Sequence, residues 1–137
     1  MEHSFYKFSS GADVLNSLNE LMFNSNSTSF LVSSVGDLST VSFKCPLNDK
    51  PKTLEKKLEI ITLTGYLTSI ESHIHISVSD ENCNVYGGHL LPGTIVYKSL
   101  NILLGVIPNL KTQSIFNLNE PPTDVEIYGL PDCPWSK

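Results

Sequence analysis

Three of the four histidines in this chain fall within one short stretch, ESHIHISVSDENCNVYGGHL, which spans residues 71–90. His73 and His75 flank a single isoleucine, and His89 follows a pair of glycines. Neutral imidazole nitrogen is a common zinc ligand, and three histidines with one position left open to water form a known zinc arrangement. The stretch therefore predicts either a metal site or a row of sheet histidines that hydrogen-bond neighbouring residues or contact another subunit.

The spacing of these histidines fits two antiparallel strands joined by a tight turn. Residues two apart on a strand share a face, so His73 and His75 point away from the apolar residues that alternate with them. A three-residue turn after Asp80 would place His75 directly opposite His89, with Cβ atoms roughly 4.5–5.5 Å apart. His73 would then be a diagonal neighbour of His89, and the three imidazoles could converge.

The two glycines before His89 are unusual within a strand, because glycine weakens a strand unless a bulge or a close approach requires it. We therefore expect backbone or a ligand to pack closely at Gly87 and Gly88. The last residue of the predicted turn, Cys83, would hold a left-handed conformation at a cost of roughly 1 kcal/mol.

The histidines must be positioned by a sheet, since most of the chain has strand character and only one segment has helical spacing. We expect one domain at 1–130 with an irregular tail at 131–137. Within it we expect a helix at 11–24, a polar loop at 47–57, a turn at Gly36-Asp37 and strands at 4–9, 29–44 (two strands, joined by that turn), 58–70, 73–79, 85–90, 94–106, 113–118 and 125–128.

Composition restricts the function classes. The net charge is −5, and all nine basic residues are lysines. Direct reading of guanine relies mainly on arginine, so DNA binding by this chain alone is disfavoured. The N-terminus resembles no signal peptide and no apolar run is long enough to span a membrane, so we expect a cytoplasmic protein without membrane contact. No nucleotide fingerprint is present, and no nucleotide cofactor is expected.

At these residues a family resemblance emerges. The segment HIHISVSDENCNVYGGHLLPGTIV resembles the signature of the PPC domain family of plants and prokaryotes (DUF296), whose members carry a His-Leu-His-like strand, a turn and Gly-Gly-His. The segment KLEIITLTGYL resembles a second family motif, into which Glu59 and Ile60 fit. Plant members fuse this domain to an AT-hook, a segment that we do not find here, so the chain looks like a stand-alone prokaryotic-type member.

The resemblance implies an α+β fold with a strongly bent, mainly antiparallel sheet, one principal helix and assembly into a homotrimer. It implies a metal site, with zinc as the cofactor, at His73, His75 and His89. It also implies that Glu59, Ile60, Gly87 and Gly88 are motif residues that support the fold or a subunit interface.

Three functions follow from these observations. The first is a homotrimeric binding or assembly module with protein partners, in a DNA-linked regulatory role. The second is a zinc-dependent enzyme that acts on a small acyl or amide-like substrate, for which Glu71, Ser77 and Asp80 are the local acid or base candidates. The third is direct DNA binding, which the composition disfavours.

Overall fold

The computed structural model describes residues 1–113, which form six strands and one helix. In chain order the elements are β1 (Glu2–Ser9), α1 (Val14–Leu21), β2 (Ser27–Lys44), β3 (Pro51–Leu67), β4 (Ser72–Ser79), β5 (Val85–Leu90) and β6 (Ile95–Pro108). The strands predicted at 113–118 and 125–128 and the tail at 131–137 lie outside this region, apart from Gln113.

All six strands belong to one antiparallel sheet in the order β1-β6-β2-β3-β4-β5. Strand β5, at the end of this order, also pairs with β2, through Phe43 with Leu90 and Lys44 with His89. A sheet whose final strand returns to a strand three places away must bend strongly. The predicted α+β class, with a bent antiparallel sheet and one principal helix, is confirmed.

The core lies on the inner face of this bend. Ile74, Ile76 and Val78 of β4 are at most 3% exposed, as their alternation with the histidines predicts. Helix α1 contributes Val14 and Leu18 to the same core, both fully buried. In residues 1–113 no helix is long and apolar enough to cross a membrane.

Helix α1 is shorter than the predicted segment 11–24. It begins after Asp13, whose Oδ1 accepts a hydrogen bond from the Asn16 N–H at 3.0 Å, and this satisfies a free donor of the first turn. It ends at Leu21, and the chain then turns through Asn24, which has φ 61°. Asparagine tolerates this left-handed conformation better than most residues. The helix therefore lies within the predicted segment but is shorter at both ends.

The turn predicted at Gly36-Asp37 is wrong, because both residues lie within the continuous strand β2. A Cβ on Gly36 would lie 2.6 Å from the Leu100 Cα, so the glycine allows a close approach to β6. The Asp37 carboxylate accepts a hydrogen bond from the Lys98 N–H at 2.8 Å. The register shifts beside these residues, so the Gly-Asp pair marks an irregularity between two paired strands.

The polar loop predicted at 47–57 is also wrong over most of its length. Strand β3 begins at Pro51, and its first five residues pair with the end of β2, including Leu54 with Val41. A proline is tolerated at the first position of a strand. Lysine-rich sequence there looked like a solvated loop because β4 pairs with β3 only from Glu59 onwards, which leaves one edge of Pro51–Lys57 without that neighbour.

Candidate functional site

The predicted register of the histidine strands is confirmed. His75 of β4 lies directly opposite His89 of β5, and their ring centroids are 4.7 Å apart in an edge-on arrangement. The register follows from the turn, in which the Asp80 N–H donates to the Asn84 carbonyl at 3.0 Å and three residues intervene. Two imidazoles therefore converge on the face of the sheet opposite the core.

His73 lies on the same face but makes different contacts. It pairs with Tyr66 of β3, and the two ring centroids are 5.2 Å apart. Its Nε2 lies 3.3 Å from the Glu71 Oε1, and both side chains are more than half exposed. A carboxylate that accepts a hydrogen bond from one ring nitrogen orients the ring. The lone pair of the other nitrogen, Nδ1, is then available to bind a metal ion.

As they stand, the described residues bring together two of the three predicted ligands. Within residues 1–113, no three His, Cys, Asp or Glu side chains are grouped closely enough to hold a metal ion. His75 and His89 lie side by side, whereas the His73 ring contacts Tyr66 and Glu71.

The acid and base candidates fall in three different settings. Glu71 contacts His73, as described above. The Ser77 hydroxyl shares a 2.7 Å hydrogen bond with the Thr62 hydroxyl on β3. Asp80 is 8% exposed and engaged in the turn itself, so it is not available to a substrate beside the histidines.

The Asp80 carboxylate organises the turn between the histidine strands. Its Oδ1 accepts hydrogen bonds from the Asn82 and Asn84 N–H groups, both at 2.9 Å. Its Oδ2 accepts from Asn84 Nδ2 at 3.1 Å and from Lys56 Nζ at 3.2 Å. These bonds, led by the Asn84 N–H, hold the pKa of Asp80 well below its usual range. Cys83 adopts the predicted left-handed conformation, with φ 65°.

The glycine pair permits close packing on both sides of β5, as expected. A Cβ on Gly87 would lie 2.4 Å from the Ile76 carbonyl oxygen on β4. A Cβ on Gly88 would lie 2.2 Å from the Lys44 carbonyl oxygen on β2. Because real Cβ atoms do not approach so closely, these two glycines are required for β5 to lie between β4 and β2 beside His89.

The two motif residues of β3 have separate surroundings. Ile60 is buried in the core and pairs with Val78. Glu59 is exposed and pairs with Asp37 on one side and Ser79 on the other. Glu59 lines a surface cavity of about 260 Å³, and neither residue lies in the histidine row.

An aromatic row that the sequence reading missed continues from His73 along the outer face, the face of the sheet opposite the core. Tyr66 contacts His73 on one side and Phe30 of β2 on the other, with ring centroids 5.8 Å apart in the second pair. The signal was the hairpin at Thr68–Glu71, because counting back from it pairs Leu67 with Ser72 and hence Tyr66 with His73.

The outer face also carries exposed apolar residues where β1, β6 and β2 lie side by side. Phe5 is 68% exposed, and Val35 and Val32 are 65% and 51% exposed. Phe5 pairs with Leu103, which in turn pairs with Ser33, two residues from Val35. We call the four residues Phe5, Val32, Val35 and Leu103 the outer apolar patch.

A profile of the Plants and Prokaryotes Conserved (PCC) domain family matches residues 1–108. The chain belongs to this family. This is the PPC family whose motifs the sequence resembles, and the profile covers all six strands from β1 to β6.

Solved structures of several microbial proteins share the fold of this PCC domain. A hypothetical protein from Salmonella cholerae-suis is 25% identical, with a TM-score of 0.75 and 78% of each chain covered. A protein from Bacteroides thetaiotaomicron, named as a candidate DNA-binding protein, is 20% identical, with a TM-score of 0.64 and 80% of each chain covered. The metal-containing protein from Archaeoglobus fulgidus is 19% identical, with a TM-score of 0.61 and 79% and 81% covered.

Among curated proteins, two cyanobacterial sequences resemble part of this PCC domain. The bifunctional protein GlmU of Synechococcus sp. (strain JA-2-3B'a(2-13)) is 33% identical over 82 residues. The GlmU of strain JA-3-3Ab is 35% identical over 75 residues. The matched segments cover 60% and 55% of this chain but only 13% and 12% of the two relatives, so the chain spans a small part of their length.

Proposed function

We propose that this PCC-domain chain is a binding and assembly module that acts as a homotrimer, with a role in a DNA-linked regulatory complex. The observation that carries this proposal is the outer apolar patch. Three of its four side chains are more than half exposed, and exposed apolar patches on folded proteins mark interaction surfaces. The core already occupies the inner face of the sheet, so the patch is not the packing surface of α1.

The partner of the patch is a second copy of this chain. Its side chains are aliphatic and aromatic, as in the buried centre of homo-oligomer interfaces. They lie on paired strands and form a surface of fixed shape, which limits the entropy lost on association. A DNA-linked role is supported by the name of the Bacteroides relative, and the lack of arginine favours a DNA contact through a partner over one made by this chain.

Charge substitution in the patch tests this assembly. Phe5→Glu and Val35→Glu would each bury an unpaired carboxylate in the subunit interface, so we expect both variants to sediment as smaller species than the unmodified chain. Leu47→Glu is the matched control, because Leu47 is fully exposed in the turn between β2 and β3, away from the patch. Equal sedimentation of all three variants and the parent would rule out the patch as the interface.

We propose, as a second function, that His75, His89 and His73 bind Zn²⁺. Support comes from the directly opposed imidazoles of His75 and His89 and from the metal-containing relative in Archaeoglobus fulgidus. His73 would bind through Nδ1 while Glu71 holds its Nε2, an arrangement in which a carboxylate strengthens a histidine ligand. When bound, zinc would supply a Lewis acid or an activated water on the outer face.

Zinc titration of chelator-washed protein tests this second function. We expect about one zinc ion per chain, and loss of binding in His75→Ala and His89→Ala, because each removes one member of the opposed pair. His3→Ala is the control, since His3 is the fourth histidine and lies on β1. If the two site variants bind zinc as the control does, these histidines do not form the site.

A further inference from the structure

A small cavity opens on the outer face beside the histidine row. Its volume is about 340 Å³, near the lower end of the range for small-molecule sites. The aromatic rings of Phe30 and Tyr66 line it, together with Leu110 and three threonines. The rings are tilted 48° to each other with centroids 5.8 Å apart, so they present adjoining aromatic surfaces to one ligand.

The charged side chain that lines this cavity is acidic. Of the residues that line it, Glu71 is the only one with a charged side chain, and no lysine lines the cavity among residues 1–113. The faces of aromatic rings carry partial negative charge and attract cations within about 6 Å. A carboxylate beside two such rings therefore favours a cationic guest whose remaining surface is apolar.

We propose that the cavity lined by Phe30, Tyr66 and Glu71 binds small organic ammonium cations. The alkyl groups of such a ligand contact the aromatic rings and Leu110, and its charge lies near Glu71. Two of the lining threonines carry hydroxyls that can hydrogen-bond a hydroxyl or amine of the ligand, while the third already accepts hydrogen bonds from two backbone N–H groups. This site adjoins the proposed zinc site, because Glu71 also contacts His73.

The cavity lined by Glu59 sets the contrast, because lysines and carboxylates both line it. It is lined by Lys57 and Lys98, whose Nζ atoms lie 5.4 and 5.9 Å from the centroid of the Tyr97 ring. There the aromatic ring already has two cations of the protein beside it. Tyr66 instead has Phe30 and His73 beside it, so its cavity can accept a cation from solution.

Choline and its uncharged isostere 3,3-dimethylbutanol provide a direct test by NMR titration of chelator-washed, isotope-labelled protein. We expect choline to cause saturable shifts at Phe30, Tyr66 and Glu71, and the isostere to bind at least tenfold more weakly, because it lacks the cation–π and carboxylate attraction. Equal affinity for the two compounds, or shifts centred elsewhere, would overturn the proposal.

Variants separate this proposal from general damage to the fold. Tyr66→Leu should weaken choline binding about tenfold, and Glu71→Gln should weaken it while preserving the dispersed spectrum of a folded protein. Tyr97→Leu, the control, should bind choline as the parent does. Unchanged binding in Tyr66→Leu or Glu71→Gln would contradict the proposal. The titration uses zinc-free protein and does not measure the molecular mass. A negative result would therefore leave the proposed zinc binding and the proposed assembly untouched.

Discussion

At the scale of single residues, the arrangement of His75 and His89 depends on a side chain outside the histidine row. The Asp80 carboxylate accepts hydrogen bonds from two N–H groups and one side-chain amide of its turn, and from the Lys56 ammonium on β3, and so fixes the register of His75 with His89. This register could be predicted from the sequence, because a strand alternates strictly and a turn length fixes the pairing. The contacts of the His73 ring were missed, because the strand predicted at 58–70 runs into the turn that pairs Tyr66 with His73.

Asp80 should give the protein an acid-sensitive stability. Its pKa is lowered in the folded state, so the unfolded chain takes up the proton first as pH falls. The stabilisation is complete above the ordinary carboxyl pKa of about 4 and is lost as pH falls toward the lowered value. Urea midpoints between pH 2 and pH 7 should therefore fall less steeply at low pH in Asp80→Asn, which is also less stable at neutral pH.

The matched control for this experiment is Glu81→Gln, which removes an exposed carboxylate from the same turn. It should follow the parent protein at every pH. Parallel loss of stability in Asp80→Asn and the parent on acidification would show that Asp80 does not carry the effect.

Gly88 should not tolerate a side chain, because the neighbouring backbone leaves no space for one. In Gly88→Ala the new methyl group would meet the Lys44 carbonyl oxygen, and forced overpacking of this kind costs about 1–3 kcal/mol of unfolding free energy. Gly11→Ala is the comparison, since Gly11 has φ 89° but open space around it and should cost about 1 kcal/mol. Denaturant unfolding measures both, and a smaller loss for Gly88→Ala would contradict the close contact.

At the scale of elements, the alternation of apolar and polar residues predicted strands with one buried and one exposed face. It failed where contacts between distant strands determine the local structure. The β4 row of Ile74, Ile76 and Val78 was predictable because each is apolar and each neighbour is polar. Gly36 was misread because a glycine beside an aspartate is typical of a turn, whereas here the glycine admits Leu100 of a strand more than sixty residues away. Such contacts are not encoded in the local pattern.

The junction between α1 and the sheet depends on both oxygens of one carboxylate. Asp13 Oδ1 caps the helix, while Oδ2 accepts the Gly93 N–H at 2.8 Å in the connection between β5 and β6. We expect Asp13→Ala to lower the free energy of unfolding by about 0.5–2 kcal/mol for the cap alone, and further for the Gly93 bond.

Asp13→Asn separates these two contributions. The amide keeps one oxygen for the helix cap but cannot accept at both positions, so its stability should lie between those of Asp13→Ala and the parent in urea unfolding. If Asp13→Asn were as stable as the parent, the bond to Gly93 would contribute nothing measurable.

At the scale of the whole molecule, the bent sheet has one face filled by the core and one face that carries the histidines, the aromatic row and the outer apolar patch. The family and its fold could be predicted from two short motifs, because their glycines and histidines reflect the β4–β5 hairpin and its packing against β2. Assembly could not be predicted from periodicity, since an apolar residue in a strand gives the same pattern whether its neighbour is the core or another subunit.

The mass of the protein in dilute solution tests the central claim most directly. Light scattering on the untagged chain during gel filtration should give three times the 15.1 kDa mass of one chain, and the same value after moderate dilution. A mass of one chain across that range would contradict the account, because the outer apolar patch would then face water in the working state of the protein.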